Sequence, residues 1–161
     1  MLCVCSLASC YHATDAGQLK NPKGLAIDSE GIVVVVDSGN HRILVFTQTG
    51  QLVRTFGSFG PGPVEFKSPW GLSIHHTNGD ILVTDTLNHR VQILTKHGGH
   101  LKTFGSYGPA PSQLSHLHGI ALTAKGDILI ADTCNQRMCL YCGLISLGSR
   151  GPSAQNDDGK Q

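Results

Sequence analysis

Short apolar runs alternate with glycine-bearing polar turns along most of the chain. Leu25-Ala26-Ile27 runs into the turn Ser29-Glu30-Gly31, and a continuous β-branched stretch, Ile32-Val33-Val34-Val35-Val36, follows and stops at Asp37. Ser38-Gly39-Asn40-His41 then gives way to Arg42-Ile43-Leu44-Val45-Phe46, and Gln48-Thr49-Gly50 to Leu52-Val53-Arg54-Thr55-Phe56. Apolar and β-branched runs of this length, bounded by Gly, Asn and Asp, read as strands joined by tight turns. A run without alternation, such as residues 32–36, suits a strand buried on both faces. The pattern predicts four antiparallel strands, over residues 24–28, 32–36, 42–46 and 52–56.

The same arrangement occurs three times. Asp37, Asp85 and Asp132 close equivalent runs, spaced 48 and then 47 residues apart. Each is followed by an Asn (Asn40, Asn88, Asn135) and an Arg (Arg42, Arg90, Arg137). The second copy predicts strands over 71–75, 81–84, 90–94 and 101–104, and the third over 119–122, 128–131 and 137–141. A period in the forties built from short strands points to the blades of a β-propeller. The expected architecture is all-β: a partial β-propeller of about three four-stranded antiparallel blades. The blades occupy residues 17–61, 62–109 and 110–152, with an N-terminal extension over 1–16 and a disordered polar tail over 153–161.

The connector Phe56-Gly57-Ser58-Phe59-Gly60-Pro61 reappears as Phe104-Gly105-Ser106-Tyr107-Gly108-Pro109. In the third copy it returns early. Fifteen residues separate Arg42 from Gly57 and Arg90 from Gly105, but only eleven separate Arg137 from Gly148. Cys142-Gly143 reads as a shortened turn and residues 144–147 as the stub of a fourth strand; a slip in the gene model remains an alternative.

Bulk properties narrow the field. Charged residues make up 14% and the formal net charge is +1, so total charge draws the chain neither to nucleic acid nor to membrane. No apolar stretch is long enough to span a bilayer, and the first ten residues lack the basic start of a signal peptide. The six cysteines (Cys3, Cys5, Cys10, Cys134, Cys139, Cys142) cluster near the two ends. A disulfide framework would staple the body of the domain, so a reducing, cytoplasmic setting is expected. Cys139 and Cys142 form a single C-x-x-C pair, where a zinc site takes four ligands. No metal and no cofactor are expected.

Asn40-His41-Arg42, Asn88-His89-Arg90 and the weaker Asn135-Gln136-Arg137 resemble the NHL repeat. Pro22-Lys23-Gly24 and Pro69-Trp70-Gly71 fit its leading Pro-x-Gly, whereas the third copy reads Leu117-His118-Gly119. The resemblance covers about residues 17 to 141 and is closest in kind to the NHL region of tripartite-motif (TRIM-NHL) proteins. It implies a propeller that binds RNA or protein, set behind a RING finger that transfers ubiquitin. This chain carries no RING-type Cys/His array, so ligase chemistry would belong to a longer parent protein. Propellers close with about four to eight blades. Three blades therefore imply a fragment, self-association through exposed blade edges, or an open arc; the fragment is the favoured reading.

Blade topology puts the loops after strands two and four on one face. That face collects Lys20, Lys23, His41, Phe59, Lys67, Trp70, His89, Tyr107, His116 and His118. Cations for phosphates and flat rings for bases suit single-stranded RNA, and Lys20, Lys23, Lys67, Trp70, Tyr107 and His118 are the candidate RNA- or partner-contacting residues. Against this, a lone tryptophan is commonly a packing residue. His41 and His89 are assigned to turn hydrogen bonding. Asp37, Asn40, Arg42, Asp85, Asn88, Arg90, Asp132, Asn135 and Arg137 read as the structural motif, with each Arg–carboxylate pair pinning neighbouring strands. The alternative function is a metal-dependent propeller hydrolase or lyase. For that, His75-His76 is the one unusual histidine pair, and no nucleophile elbow or phosphate loop accompanies it. Neither a membrane nor a small-molecule substrate is expected.

Overall fold

The computed structural model describes residues 18–143. The expected extension over 1–16, the 144–147 stub and the tail over 153–161 lie outside the described residues. Blade one is an antiparallel sheet of β1 (Pro22–Ile27), β2 (Val33–Asp37), β3 (Arg42–Phe46) and β4 (Leu52–Phe56), in that order. Its connector holds a short parallel pair, β5 (Ser58–Phe59) and β6 (Glu65–Phe66). Blade two comprises β7 (Pro69–Ile74), β8 (Ile81–Asp85), β9 (Arg90–Leu94) and β10 (His100–Phe104). Blade three has three described strands, β11 (Leu117–Leu122), β12 (Ile128–Asp132) and β13 (Arg137–Tyr141). The chain is thus a partial β-propeller of NHL-like blades. No described helix is long and apolar enough to cross a membrane.

The innermost strand of each blade begins two residues before the position that the apolar pattern gives. Pro22, Pro69 and Leu117 pair with Asp37, Asp85 and Asp132, and a bulge separates each from the next paired residue. Proline is tolerated there because the first residue of a strand need not donate to the ladder. The turn after the second strand is the same in all blades: one 3-10 turn closed by a left-handed residue. That residue is His41, His89 or Gln136, at φ 55, 54 and 51°.

Alternation gives every blade a leading face toward the preceding blade and a trailing face toward the next. Val34, Val36, Ile43 and Val45 trail from blade one and pack on Leu72, Ile74, Ile81, Val83 and Leu94, the leading face of blade two. Leu82, Val91 and Ile93 trail from blade two and pack on Ile128 and Ile130, flanked by Ile120, Leu122 and Tyr141. The connectors plug these two cores with the fully buried Phe66 and Leu114. Blade two is consequently buried on both sides, and its second strand, β8, is buried at every residue.

Candidate binding face

The Asp–Asn–Arg motif ties each blade to the segment that leads into it. In blade two, Asp85 Oδ2 accepts from Asn88 Nδ2 and from Arg90 Nε, both at 2.8 Å, while Oδ1 accepts the Lys67 backbone N–H at 2.7 Å. Asp37 repeats this with Asn40, Arg42 and the Lys20 N–H, and Asp132 with Asn135, Arg137 and the Ser115 N–H. All three carboxylates are wholly buried. The arginines extend further into the connectors: Arg90 donates to the carbonyls of Gly62 and Glu65. Arg137 does the same to those of Ala110 and Gln113. Burial alone pushes the Asp132 carboxyl up, but hydrogen bonds from Asn135, Ser115 and Arg137, with the Arg137 charge, bring it below its ordinary value. A carboxylate with this many donors stays ionised, and the pair is structural in its geometry.

The repeated histidines close their own turns, as the sequence pattern implied, with backbone N–H bonds to the Ser38 and Thr86 carbonyls, and their rings bond across blades as well. His41 Nδ1 accepts the Ser68 N–H at 3.0 Å, and His89 Nδ1 accepts the His116 N–H at 3.3 Å. Ser68 and His116 both belong to the run-in to the following blade. The left-handed backbone at His41 and His89 points the ring forward, which a spacing argument cannot see. The rings also back two aromatic side chains. His41 lies 5.0 Å from Phe59, and His89 lies 4.7 Å from Tyr107. Phe59 is 64% and Tyr107 69% exposed, so each presents an open ring to solvent.

The middle residues of the three Pro-x-Gly positions form a column across the mouth of the arc. Trp70 stacks on His118 at 4.2 Å with 21° between planes, and Lys23 Nζ sits 4.1 Å from the Trp70 ring centre. Trp70 belongs to the middle blade and lies between neighbours from blades one and three. It is half-buried, and a cation–π contact holds Lys23 over it. Burial lowers the affinity of His118 for its proton, and the charges of His116 and Lys23 lower it further. His89 is depressed too, by burial and then by His116 and Lys67, against the opposing pull of Asp85. His116, in the run-in to blade three, lies 4.9 Å from His89 in an edge-on contact, next to the His89–Tyr107 pair.

Of the six candidates, Lys23, Trp70 and His118 thus come together, and Tyr107 lies against His89, whose proton affinity the Lys67 charge lowers. Lys20 gives its backbone N–H to Asp37, as Lys67 does to Asp85, and its side chain lies against Gly39. The sequence placed Phe59 on this face without marking it as a candidate. Its match to Tyr107 in the two aligned connectors was the signal for doing so.

His75 closes a turn. Its Nδ1 accepts the Thr77 N–H at 3.3 Å, just as Asp28 Oδ1 in blade one accepts the Glu30 N–H. Among the described residues, no group of three His, Cys, Asp or Glu side chains is placed to hold a metal.

The NHL repeat profile matches residues 19–46, 66–94 and 114–139. The chain belongs to the NHL-repeat family. The RING finger protein nhl-1 of Caenorhabditis elegans is 42% identical over 57 residues, covering 35% of this chain and 6% of that protein. The protein brain tumor of Drosophila melanogaster is 30% identical over 64 residues (40% and 6%). The E3 ubiquitin-protein ligase NHLRC1 of Rattus norvegicus is 35% identical over 74 residues (45% and 19%). The NHL chain therefore spans a fifth or less of the length of these relatives. A streptogramin B lyase structure superposes with a TM-score of 0.58 at 22% identity, over 74% of this chain and 39% of that one. An exported protein of Bacteroides fragilis gives 0.59 at 18% identity, over 73% and 31%. At such identity these structural likenesses establish the fold alone.

Proposed function

We propose that this NHL array is a binding module that takes single-stranded RNA on the strip running from Lys23 to Tyr107. The observation that carries the reading is the pair of exposed rings, Phe59 and Tyr107, each held by a motif histidine. Such rings accept any base face, and lysines meet phosphates. Trp70 already packs between Lys23 and His118, so bases stack on Tyr107 and Phe59 while Lys23 and Lys67 supply charge. Membership of the NHL family supports a binding role. The names of two relatives, a RING finger protein and an E3 ubiquitin-protein ligase, support placing such repeats in the recognition part of a longer ligase-associated protein. A cytoplasmic setting belongs to the same reading.

Fluorescence anisotropy with a labelled single-stranded RNA tests it. Binding is expected to weaken steeply with salt. Lys23→Glu and Lys67→Glu should each weaken it across sequences and lower the salt slope by about one. Unchanged affinity in both variants would remove RNA from this face and leave a protein partner as the occupant.

A further inference from the structure

A cleft opens between blades one and two, at the end of the sheets away from the motif turns and connectors. Its inner part has a volume of 80 Å³ and is walled by the β1–β2 turn at Asp28 and Glu30, by the β7–β8 turn over residues 75–79, and by Lys96. Its outer part, of 240 Å³, shares Asp28, Glu30 and Lys96 and adds Ile32, Val45, Val53, Arg54 and His97.

Charges of both signs line this cleft without pairing. Among the described residues the ion pairs are the three of the motif. Asp28 uses only Oδ1, on the Glu30 and Ile32 N–H groups of its own turn. Neither the Glu30 carboxylate nor the Lys96 ammonium has a hydrogen-bond partner among the described residues, and the Lys96 stem lies along Gly79, whose Cβ would meet its Cδ at 3.3 Å. Arg54 donates through Nη1 to His97 Nδ1 at 2.6 Å and to the Lys96 carbonyl at 3.2 Å, which holds the β9–β10 turn over blade one.

His75 decides what the cleft asks for. The residue is 6% exposed and lines the inner part. Its Nδ1 accepts the Thr77 N–H, so the ring proton is on Nε2. No described group accepts from Nε2: Asp80 lies within electrostatic reach of the ring, but its Oδ2 takes Asn78 Nδ2 instead. A buried donor left without an acceptor is costly, and a ligand oxygen would relieve it. This chemistry is not stamped with the repeat. Asp28, His75 and Thr123 hold the same turn position, each giving its backbone N–H to the far side of its turn. The gap between blades two and three therefore has His75 and Thr77 where the first has Asp28 and Glu30, and Thr123 and Gly143 where the first has His75 and Lys96. The shared frame is structural; the set of two acids, a buried histidine and a lysine occurs at one gap of the two.

We propose that this cleft binds a free α-amino acid with an apolar side chain. Two carboxylates and two cations that do not neutralise one another suit a ligand carrying one charge of each sign. Asp28 and Glu30 take the ammonium, and Lys96 with the His75 Nε2–H takes the carboxylate. The side chain extends into the outer part, along Ile32, Val45 and Val53. The same side chains do not converge as metal ligands.

Isothermal titration calorimetry of the full chain with L-leucine and L-phenylalanine tests this. One molecule per chain is expected to bind. N-acetyl-L-leucine, which lacks the ammonium, and L-leucine methyl ester, which lacks the carboxylate, should each bind about tenfold more weakly or worse. Glu30→Gln should erase the discrimination against the acetylated compound, and Lys96→Met that against the ester. Both positions are exposed, so both variants should melt as the wild type does. His75→Asn keeps an acceptor for the Thr77 N–H, removes the Nε2 donor and should weaken leucine binding. Lys23→Glu and Lys67→Glu, on the opposite face, should leave leucine binding unchanged, so the RNA reading can fail without this one. Binding of neither amino acid, which would leave the cleft to water alone, overturns the proposal. So does equal affinity for the capped compounds, or leucine binding that Glu30→Gln and Lys96→Met both leave unaltered.

Discussion

At the residue scale, one carboxylate per blade organises a strand end, a turn and a connector together. Asp85 receives Asn88, Arg90 and the Lys67 N–H with no exposure of its own, and Arg90 is 14% exposed. Removing one member of a buried pair strands the others, at a cost of about 3–5 kcal/mol. Asp85→Ala is therefore expected to destabilise the protein by about 3 kcal/mol or more, read from the urea midpoint. The histidines add a pH dependence. His89 bonds the His116 N–H through a ring nitrogen that must be unprotonated. Burial, His116 and Lys67 depress its folded value below 6.5, so the unfolded chain takes up a proton first as pH falls. Its contribution is complete above 6.5 and is lost as pH drops below that, and the depressed His118 acts with the same sign. Thermal melts are expected to move to lower temperature between neutral pH and the histidine range. His89→Gln should flatten that part of the profile.

At the element scale, the inner strands decide how tightly blades can sit. Gly71 N–H donates to Thr84 Oγ1 at 2.7 Å, and Thr84 Oγ1 donates on to the His118 carbonyl at 3.0 Å. A methyl group at position 71 would fall on that carbonyl and push β7 and β11 apart. Gly71→Ala is expected to destabilise by about 1–3 kcal/mol, the usual cost of overpacking. Gly119→Ala, whose added methyl group would meet only Ala131 among the described residues, should cost less than about 1 kcal/mol, and comparing the two denaturation midpoints checks this. The strands themselves were legible in the sequence. Arg42–Phe46, Arg90–Leu94 and Arg137–Tyr141 fall where the apolar runs put them. The early starts at Pro22, Pro69 and Leu117 were not legible, because a bulge pairs residues that show no alternation.

At the scale of the whole molecule, burial is graded from the middle outward. Each blade gains its core from a neighbour, so an array is stabilised chiefly by its interfaces. Blade two has two such interfaces, and among the described residues blades one and three have one apiece. The same grading shapes the candidate site. The Lys23–Trp70–His118 column takes one residue from each blade, and it exists only because three inner strands stand side by side.

The repeat, its strands and the all-β class follow from the sequence alone, since apolar period and turn chemistry are local properties. The Asp, Asn and Arg of the motif were visible too, being stamped at constant spacing. Only the tertiary structure decided that the His41 and His89 rings reach into the next blade and that Trp70 lies between Lys23 and His118. Those relations join residues dozens of positions apart, through a left-handed turn and close strand packing. Spacing along a chain carries no information about either.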